Sequence, residues 1–394
     1  MKRNVILGLI IIMLFPLSVK AQKQYKIATI AFYNVENLFD TVSSIGYIDG
    51  TRDFQSPEFH KSIALNSKLA ETTEVNKRQL IFENLEGKQR LRKLVLADEY
   101  TPEGGNNWNT EKYYNKLEHI AEVILSFGKE KNMHTPVIMG LSELENEHVI
   151  RDITQQKALK ELKYDYVHFN SFDERGIDVG LIYQKDRFMV TEKEHHPLIL
   201  FDRDGRRDYT RDILHVGGYL DGEKIHILVN HWPSRSGGAS TSEPKREKAG
   251  DLARKIVNDI LKKEPGAKII LMGDFNDGPT NSSIKKHLRT TEKLSKANDS
   301  ILYNPMENMA RRGAGTAAYR DSWEVLDQLI LSHTLLGKDY SSYKLLKAQI
   351  HKKSFLTEKS GARKGYPFRT YKFGVYENGY SDHFPVYLNL IKEK

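Results

Sequence analysis

The chain has 394 residues, no cysteine, and 60 Lys and Arg against 52 Asp and Glu, so its formal net charge at pH 7 is +8. This composition excludes disulfides and thiolate metal sites, and the remaining oxygen and imidazole ligands favour Mg²⁺, Mn²⁺ or Ca²⁺ over Zn²⁺. The positive excess fits a polyanionic partner such as nucleic acid, although many basic proteins bind nothing acidic.

The first 21 residues have the pattern of a secretory signal peptide. A basic start precedes an apolar run over residues 5–17, and Val19-Lys20-Ala21 predicts cleavage before Gln22. The run is shorter than the roughly 20 residues that a transmembrane helix needs. We therefore expect an exported chain, periplasmic or extracellular, without stable membrane insertion.

The remaining elements are predicted from hydrophobic periodicity and turn residues. Residues 41–105 are polar with few aromatics, and are interpreted as an insertion with a helical stretch at 75–96. Thr110 is a candidate N-cap, and Asp221-Gly222 predicts a hairpin turn. We predict strands at residues 25–33, 136–141, 164–169, 177–183, 188–191, 212–220, 224–230, 267–272, 329–331 and 385–390, and helices at 111–127, 147–162 and 243–261.

Adjacent hairpins mixed with βα units predict an α/β fold in which two sheets pack face to face with helices outside. A doubly wound nucleotide-binding fold is the alternative, but no glycine-rich phosphate loop follows the first strand. We expect residues 22–394 to form a single catalytic domain.

Polar clusters follow several predicted strands, where functional sites are usually built. Asp274 and Asn276 flank an apolar residue, so on an extended segment they project to the same side and can hold a water and a phosphate oxygen. An Asx-rich turn explains the same residues equally well. Asp382 and His383 place a metal-binding carboxylate beside a candidate general base, and an ordinary capping turn is the alternative.

His231 follows another strong strand, in Asn230–Arg235. It could face His383 across a cleft. Arg235, at the end of this segment, is either a phosphate-binding residue or a solvated surface charge.

Three further residues carry oxygen ligands. Glu143 ends a strand and is a natural magnesium ligand, or else a charge at a helix start. Asn34 has an ordinary turn as its alternative. Asp327 precedes an apolar strand and needs a partner if it is buried.

The order of these segments resembles the endonuclease/exonuclease/phosphatase superfamily, which includes deoxyribonuclease I and the abasic-site endonucleases. The resemblance spans about residues 26–391, and Gly-Asp-x-Asn together with the terminal Ser-Asp-His is its most specific part. The segments that carry it are residues 34–39, 140–146, 175–179, 230–235, 273–276, 323–332 and 381–385.

The resemblance implies a deoxyribonuclease I-like, four-layer α-β-β-α sandwich of two packed mixed sheets, with the site at one edge. It implies a divalent metal, Mg²⁺ first and Mn²⁺ or Ca²⁺ as alternatives, held by Glu143 with Asn34 and Asp382 nearby. It further implies that Asp327 orients His383. The implied catalytic residues are His231, Asp274, Asn276, Asp327 and His383.

Arg175-Gly176-Ile177-Asp178 matches a motif of the bacterial branch, in which the aspartate braces the histidine that corresponds to His231. A simple β-turn explains the glycine equally well. With Arg235, Arg175 and Asp178 form the implied set of substrate- and phosphate-binding residues.

The expected function is a secreted, metal-dependent phosphoesterase, specifically a nuclease acting on DNA or RNA. Phosphodiester hydrolysis needs acceleration towards about 10¹⁷-fold and one general acid or base supplies roughly 10²–10⁴, so a metal and oriented donors must contribute. The sequence leaves open whether His383 or Asp274 activates the water.

Two other functions are considered. The first is a phosphatase or phosphodiesterase acting on inositol phosphates or sphingomyelin, although the sequence indicates no hairpin of exposed aromatics of the kind that reads membranes. The second is a non-catalytic binding protein on the same scaffold, which is disfavoured because every expected polar position is filled.

Overall fold

The computed structural model describes residues 23–41, 79–83, 89–93, 98–129, 134–171, 173, 175–202, 205 and 207–394, with only the backbone at 79–83, 89–93, 98 and 207. The predicted signal peptide and most of the predicted insertion at 41–105 lie outside these residues. In chain order the strands are β1 (Tyr25–Leu38), β2 (Gln79–Glu83), β3 (Gln89–Lys93), β4 (Ile138–Leu144), β5 (Tyr164–His168), β6 (Asp178–Gln184), β7 (Phe188–His196), β8 (Leu200–Phe201), β9 (Arg207–Asp208), β10 (Ile213–Leu220), β11 (Glu223–His231), β12 (Ile269–Asp274), β13 (Thr290–Thr291), β14 (Leu302–Tyr303), β15 (Ala317–Tyr319), β16 (Ser322–Glu324), β17 (Asp327–Leu331), β18 (Lys344–Ile350), β19 (Tyr371–Lys372), β20 (Val375–Tyr376) and β21 (Val386–Glu393). The α-helices are α1 (Thr110–Ser126), α2 (Glu147–Thr154), α3 (Ala239–Lys263) and α4 (Met306–Arg311).

Two mixed sheets form the centre of the fold. The first has the strand order β18-β21-β1-β4-β6-β5, and the second has the order β13-β14-β17-β12-β11-β10-β7. In the first sheet β1 and β4 run parallel, as do β11 and β12 in the second. Parallel strands end at the same edge of a sheet, so residues at their carboxyl ends become neighbours.

The sheets pack face to face and helices cover their outer faces. Ile30 and Phe32 of β1 belong to the core between the sheets, whereas Ala31 and Tyr33 pack in the core that α1 and α2 cover. On the second sheet Leu271 packs in a third core, which includes the apolar face of α3. The predicted four-layer α-β-β-α sandwich of two mixed sheets is confirmed.

Most predicted elements are present, with shifted ends. The hairpin of β10 and β11 turns at Asp221 and Gly222, both at positive φ, as a tight two-residue turn requires. Helix α1 is capped by Asn109, whose side chain accepts the Lys112 N–H, rather than by Thr110. The predicted helix at 147–162 is α2 followed by a separate 3₁₀ segment, Lys157–Leu162.

The predicted helix at 75–96 was wrong, because β2 and β3 pair there as an antiparallel hairpin. The residues between them include Asn84 and Gly87, which favour turns over helices. No helix in the described part of the chain combines the length and apolarity of a membrane span.

Candidate functional site

Strand alternation directs four polar side chains into the edge of the space between the sheets. In each strand the apolar residues two and four positions away face the core between the sheets, so the polar residue continues an inward-facing row. The rows are Ile30, Phe32 and Asn34 in β1; Ile227, Val229 and His231 in β11; Ile270, Met272 and Asp274 in β12; and Asp327, Leu329 and Leu331 in β17. Register then aligns them, since Asp274 pairs with His231 on one side and with Asp327 on the other.

The Oδ2 atom of Asp274 is the meeting point of the site. It lies 3.2 Å from Asn34 Nδ2, 3.8 Å from His231 Nε2 and 3.9 Å from His383 Nε2. Burial raises the pKa of Asp274 to about 6, with Asp327 and Glu143 adding to the rise and His383 opposing it. Asp274 is therefore a carboxylate that can exchange a proton near neutral pH.

Glu143 reaches the same site through a bulge. Simple alternation would send it away from the space between the sheets, but the register of β4 shifts here against both neighbouring strands, and Glu143 has a φ of 65°. Its Oε1 lies 3.8 Å from His231 Nε2, and its Oε2 accepts the Asn37 N–H at 2.9 Å. This irregular backbone brings the second carboxylate beside Asp274.

Three more residues around the site have positive φ, namely Glu36, Asn37 and Asn276. Non-glycine residues in this region carry strain, which clusters at functional sites. The strain here accompanies the turns that end β1 and β12.

Asn34 holds the two carboxylates together. Its Nδ2 donates to Asp274 Oδ2 at 3.2 Å and to Glu143 Oε1 at 3.4 Å, while its Oδ1 accepts the Glu36 N–H. The predicted role of metal ligand would use the amide oxygen, which accepts the Glu36 N–H with one of its two lone pairs, so this role stays a prediction. In this arrangement Asn34 positions the carboxylates.

His383 is held by a buried carboxylate. Its Nδ1 lies 2.7 Å from Asp327 Oδ2, which leaves Nε2 facing Asp274. Burial alone would lower the pKa of His383, but Asp327 and Asp274 outweigh it and raise the pKa well above the usual value. His383 is therefore a cation at neutral pH.

His231 has the opposite character. Burial and the nearby Arg211 guanidinium lower the pKa of His231 well below its usual value, so the ring is neutral. Arg211 donates to the backbone oxygens of His231 and Trp232 and pairs with Asp173 at 2.8 Å. Two histidines with pKa values pushed apart can take different roles in acid–base chemistry.

The expected bracing of His231 by Asp178 was wrong. Asp178 Oδ2 lies 2.9 Å from His168 Nε2, and its Oδ1 accepts from the backbone and hydroxyl of Ser171. Within the described part of the chain His231 Nδ1 is buried without a hydrogen-bond partner. Both oxygens of Asp178 are occupied, so it fixes the start of β6 instead.

Asn276 and Arg235 lie close to the site but bind protein groups. Asn276 Nδ2 donates to Trp232 O at 2.9 Å, and Arg235 forms two hydrogen bonds to the carboxylate of Glu324, at 2.6 and 2.7 Å. Arg235 Nε also donates to Asn276 O. A paired Arg–carboxylate fork is largely neutralised, so the predicted phosphate contact of Arg235 is not in place, and both residues tie down the loop after β12.

Arg175 lies beside Glu143, and its predicted anion-binding role stays a prediction. Its Nη2 lies 3.6 Å from Glu143 Oε2 and donates to Asn37 Oδ1, and its side chain is 42% exposed. It therefore presents a cation at the mouth of the site, beside the carboxylates.

Asp382 belongs to a partly buried charge network that the sequence did not reveal. Its Oδ1 lies 4.0 Å from His383 Nε2, and its Oδ2 accepts from Arg369, which also pairs with Glu36 at 2.8 Å. Burial raises the pKa of Glu36 to about 7 and lowers that of Lys116 to about 8. Arg369 thus holds Asp382 at the site.

A signal for this network was available at one position. Lys116 lies three residues after Tyr113 and four before Ile120, so it is on the apolar face of α1. It is buried and donates to Thr370 Oγ1 and Tyr380 O. A lysine within an apolar helical stripe indicates a buried polar partner, whereas nothing local distinguishes Arg369.

The donor set fits a hard divalent cation. Carboxylate oxygens of Glu143 and Asp274 meet at the Asn34 amide, and one oxygen of buried Asp327 has no hydrogen-bond partner in the described part of the chain. Oxygen donors of this kind suit Mg²⁺, Mn²⁺ or Ca²⁺. Asp274, Asp327 and His383 also offer one ligand atom each within 4.8 Å of one another.

A basic and aromatic segment, residues 351–373, flanks the site. It contains seven Lys or Arg and one Glu. Lys352 Nζ lies 4.6 Å from the ring centre of Trp323 and 5.2 Å from that of Phe384, the residue after His383. Positive charge therefore extends from the site along this surface.

A family model matches most of the chain, and several solved structures are similar to it. A model described as Endonuclease/Exonuclease/phosphatase family matches residues 83–392. Similar solved structures include an endonuclease/exonuclease/phosphatase family protein from Bacteroides thetaiotaomicron (15% identity, 94% of this chain and 97% of that chain, TM-score 0.48). Others are a mannosyl-6-phosphatase from the same species (16%, 92% and 99%, TM-score 0.47) and a humanized D. rerio TDP2 (14%, 72% and 93%, TM-score 0.46). A search of curated proteins found no match.

Proposed function

The chain belongs to the endonuclease/exonuclease/phosphatase family, and on that premise we propose that it is a nuclease, hydrolysing phosphodiester bonds of DNA or RNA by metal-assisted attack of water. The family consists of divalent-metal-dependent phosphoric ester hydrolases. One observation carries the proposal: His231 Nε2 and His383 Nε2 approach the same oxygen of Asp274, at 3.8 and 3.9 Å, with Glu143 alongside.

Each residue has a role that follows from its charge. When bound, a divalent metal, Mg²⁺ in this proposal, neutralises charge on the phosphoryl oxygens, and Glu143 is the residue to hold it. Cationic His383 donates a hydrogen bond from Nε2 to a phosphate oxygen. Neutral His231 supplies a second donor, and Arg175 draws the anion towards the carboxylates.

The charge states support Asp274 as the group that activates water. Asp327 and Asp274 raise the pKa of His383 well above its usual value, which favours the protonated ring and disfavours His383 as the base. Asp274, with its pKa of about 6, is ionised at pH 7 and can accept one. This choice between the two groups was open from the sequence.

The flanking surface supports nucleic acid as the substrate. Phe373 is 84% exposed with the Arg363 guanidinium 4.7 Å from its ring centre, and Tyr319 is 72% exposed at the end of β15. Cationic grooves with exposed aromatic rings are typical of surfaces that bind single-stranded nucleic acid.

A second candidate is a sphingomyelin phosphodiesterase. The structure exposes one aromatic ring in each of two hairpins, Tyr319 in β15–β16 and Phe373 at the turn between β19 and β20. Exposed aromatic rings also favour the interfacial region of a membrane.

The first experiment is a substrate panel of plasmid DNA, RNA, inositol phosphates and sphingomyelin vesicles, each with Mg²⁺, Mn²⁺ or Ca²⁺. We expect hydrolysis of DNA or RNA. Affinity for the nucleic acid should fall steeply with salt, and Lys352→Ala and Arg363→Ala should each reduce the slope by about 1. Lys262→Ala, at the C-terminal end of α3, is the matched control and should leave the slope unchanged. Cleavage of sphingomyelin alone, or a flat salt response, would contradict the nuclease proposal.

We also propose that the chain is exported, on the strength of its N-terminal pattern; residues 1–22 lie outside the described part. N-terminal sequencing of the exported protein should begin at Gln22. An uncleaved chain retained in the cytoplasm would refute export.

A further inference from the structure

A second group of imidazoles and carboxylates lies on the helix-covered face of the second sheet, away from the candidate active site. Strand alternation places Glu192, Glu194 and His196 on one face of β7, and His215 of β10 pairs directly with Glu194. These residues line a cavity of about 190 Å³ that α3 closes on one side. Nothing in the proposed hydrolysis uses them.

Three of these side chains are arranged as metal ligands. Glu194 Oε2 lies 3.5 Å from His196 Nε2 and 3.6 Å from His215 Nδ1, and all three atoms lie within 4.8 Å of one another. Tetrahedral zinc with bonds of 2.0–2.2 Å separates its ligand atoms by about 3.3–3.6 Å. Small side-chain adjustments would therefore complete the geometry.

The two imidazole nitrogens nearest Glu194 form no hydrogen bond within the described residues. His196 Nε2 and His215 Nδ1 are buried without a hydrogen-bond partner in the described part of the chain, although buried polar atoms normally have one. The His215 side chain is only 4% exposed. Burial lowers the pKa of His215 to about 4 and also lowers that of His196, so both rings are neutral, the form that binds metals.

The surrounding residues support the same three ligands. His215 Nε2 lies 3.0 Å from His226 Nδ1, and His226 Nε2 lies 3.4 Å from Glu264 Oε2, a relay that would orient the His215 ring. Lys224 pairs with Glu264 at 2.7 Å and with Glu192 at 2.9 Å. Glu192 and Glu264 are therefore engaged with Lys224. Glu194 instead forms its ion pairs with the imidazoles of His196 and His215.

We propose that Glu194, His196 and His215 bind one Zn²⁺ ion, separate from the metal of the active site. Two imidazoles and one carboxylate suit zinc better than Mg²⁺, which prefers oxygen ligands. The proposed site is well separated from the active site. His226, which contacts His215, precedes His231 by five residues of β11, or about 16 Å along an extended strand, and the two rings face opposite sides of the sheet. The ion would link β7 to β10 beside α3.

The test is zinc binding by the full chain, stripped of metal and then titrated with Zn²⁺ in constant excess Mg²⁺. Zinc per chain is measured together with the shift in Tm. We expect the wild type to bind one more equivalent than His196→Ala or Glu194→Gln, and to gain thermal stability that these variants do not gain. The side chains of His196 and Glu194 are 27% and 50% exposed, so both variants should fold.

His195→Ala is the matched control, because this neighbouring histidine points to the other face of β7 and contacts Asp212. It should bind zinc like the wild type. His226→Gln should weaken binding by about 10- to 100-fold without abolishing it. Equal stoichiometry and equal Tm shifts in the wild type and His196→Ala would overturn the proposal, whatever zinc the active site takes up.

Discussion

Replacing His383 with alanine should lower kcat by about 10²- to 10³-fold, the loss that follows removal of one oriented donor to the developing charge. The variant loses the cationic Nε2 that faces Asp274, and it leaves the carboxylate of Asp327 buried without its 2.7 Å partner. Steady-state kinetics on the best substrate of the panel measure the effect, with circular dichroism to verify folding.

His287→Ala is the control for that experiment. His287 lies near Asp251 on the surface between α3 and the segment after β12, far from the inward-facing rows, and its loss should leave kcat unchanged. Near-normal turnover of His383→Ala would discard the role of His383 as a cationic donor to the phosphate.

Replacing Glu143 with glutamine should raise the Mg²⁺ concentration for half-maximal activity by more than about 100-fold. Loss of a residue that only hydrogen-bonds a metal ligand lowers metal affinity by about 10- to 100-fold, so loss of the ligand itself should have a larger effect. The carboxylate is the side chain best placed to hold a hard cation beside Asp274, and the amide that replaces it carries no charge. Activity is measured across a Mg²⁺ titration after metal removal with a chelator.

Glu147→Gln separates this role from a general effect of negative charge before α2. Glu147 is the first residue of that helix and accepts from Tyr166, so its neutralisation should leave the Mg²⁺ response intact. If Glu143→Gln and Glu147→Gln respond to Mg²⁺ alike, Glu143 is a helix-start charge and not a metal ligand.

The positions of Asn34, His231 and Asp274 could be anticipated because each continues a period-two row of apolar residues at the end of a strand. Glu143 breaks this pattern, since alternation alone points it away from the other three. Only the bulge in β4 turns it inwards, and no local signal in the sequence predicts that bulge.

Pairing between side chains was harder to predict than position. Asp178 and Arg235 occupy expected places, but their closest partners are His168, Ser171 and Glu324, which lie elsewhere in the chain. A carboxylate or guanidinium binds whichever partner the tertiary fold brings nearest, and that choice is not encoded by neighbouring residues.

The proposed zinc site was hidden for a related reason. The predicted strand ends at residue 191, where the register of β7 shifts against β10. Beyond this bulge the side chains alternate again, but Glu192, Glu194 and His196 now lie on the face opposite to the one that simple alternation predicts. A bulge that changes the phase of a strand makes its continuation look like a charged loop.

Strand ends that are distant in the chain build one cation-holding pocket around Glu143 and Asp274. Crystals grown with Mn²⁺ and measured for anomalous scattering test it most directly. We expect an anomalous peak within about 2.5 Å of a Glu143 carboxylate oxygen, in the space bounded by Asn34, Asp274 and His231. Strong manganese density elsewhere on the chain, with none beside Glu143, would contradict it.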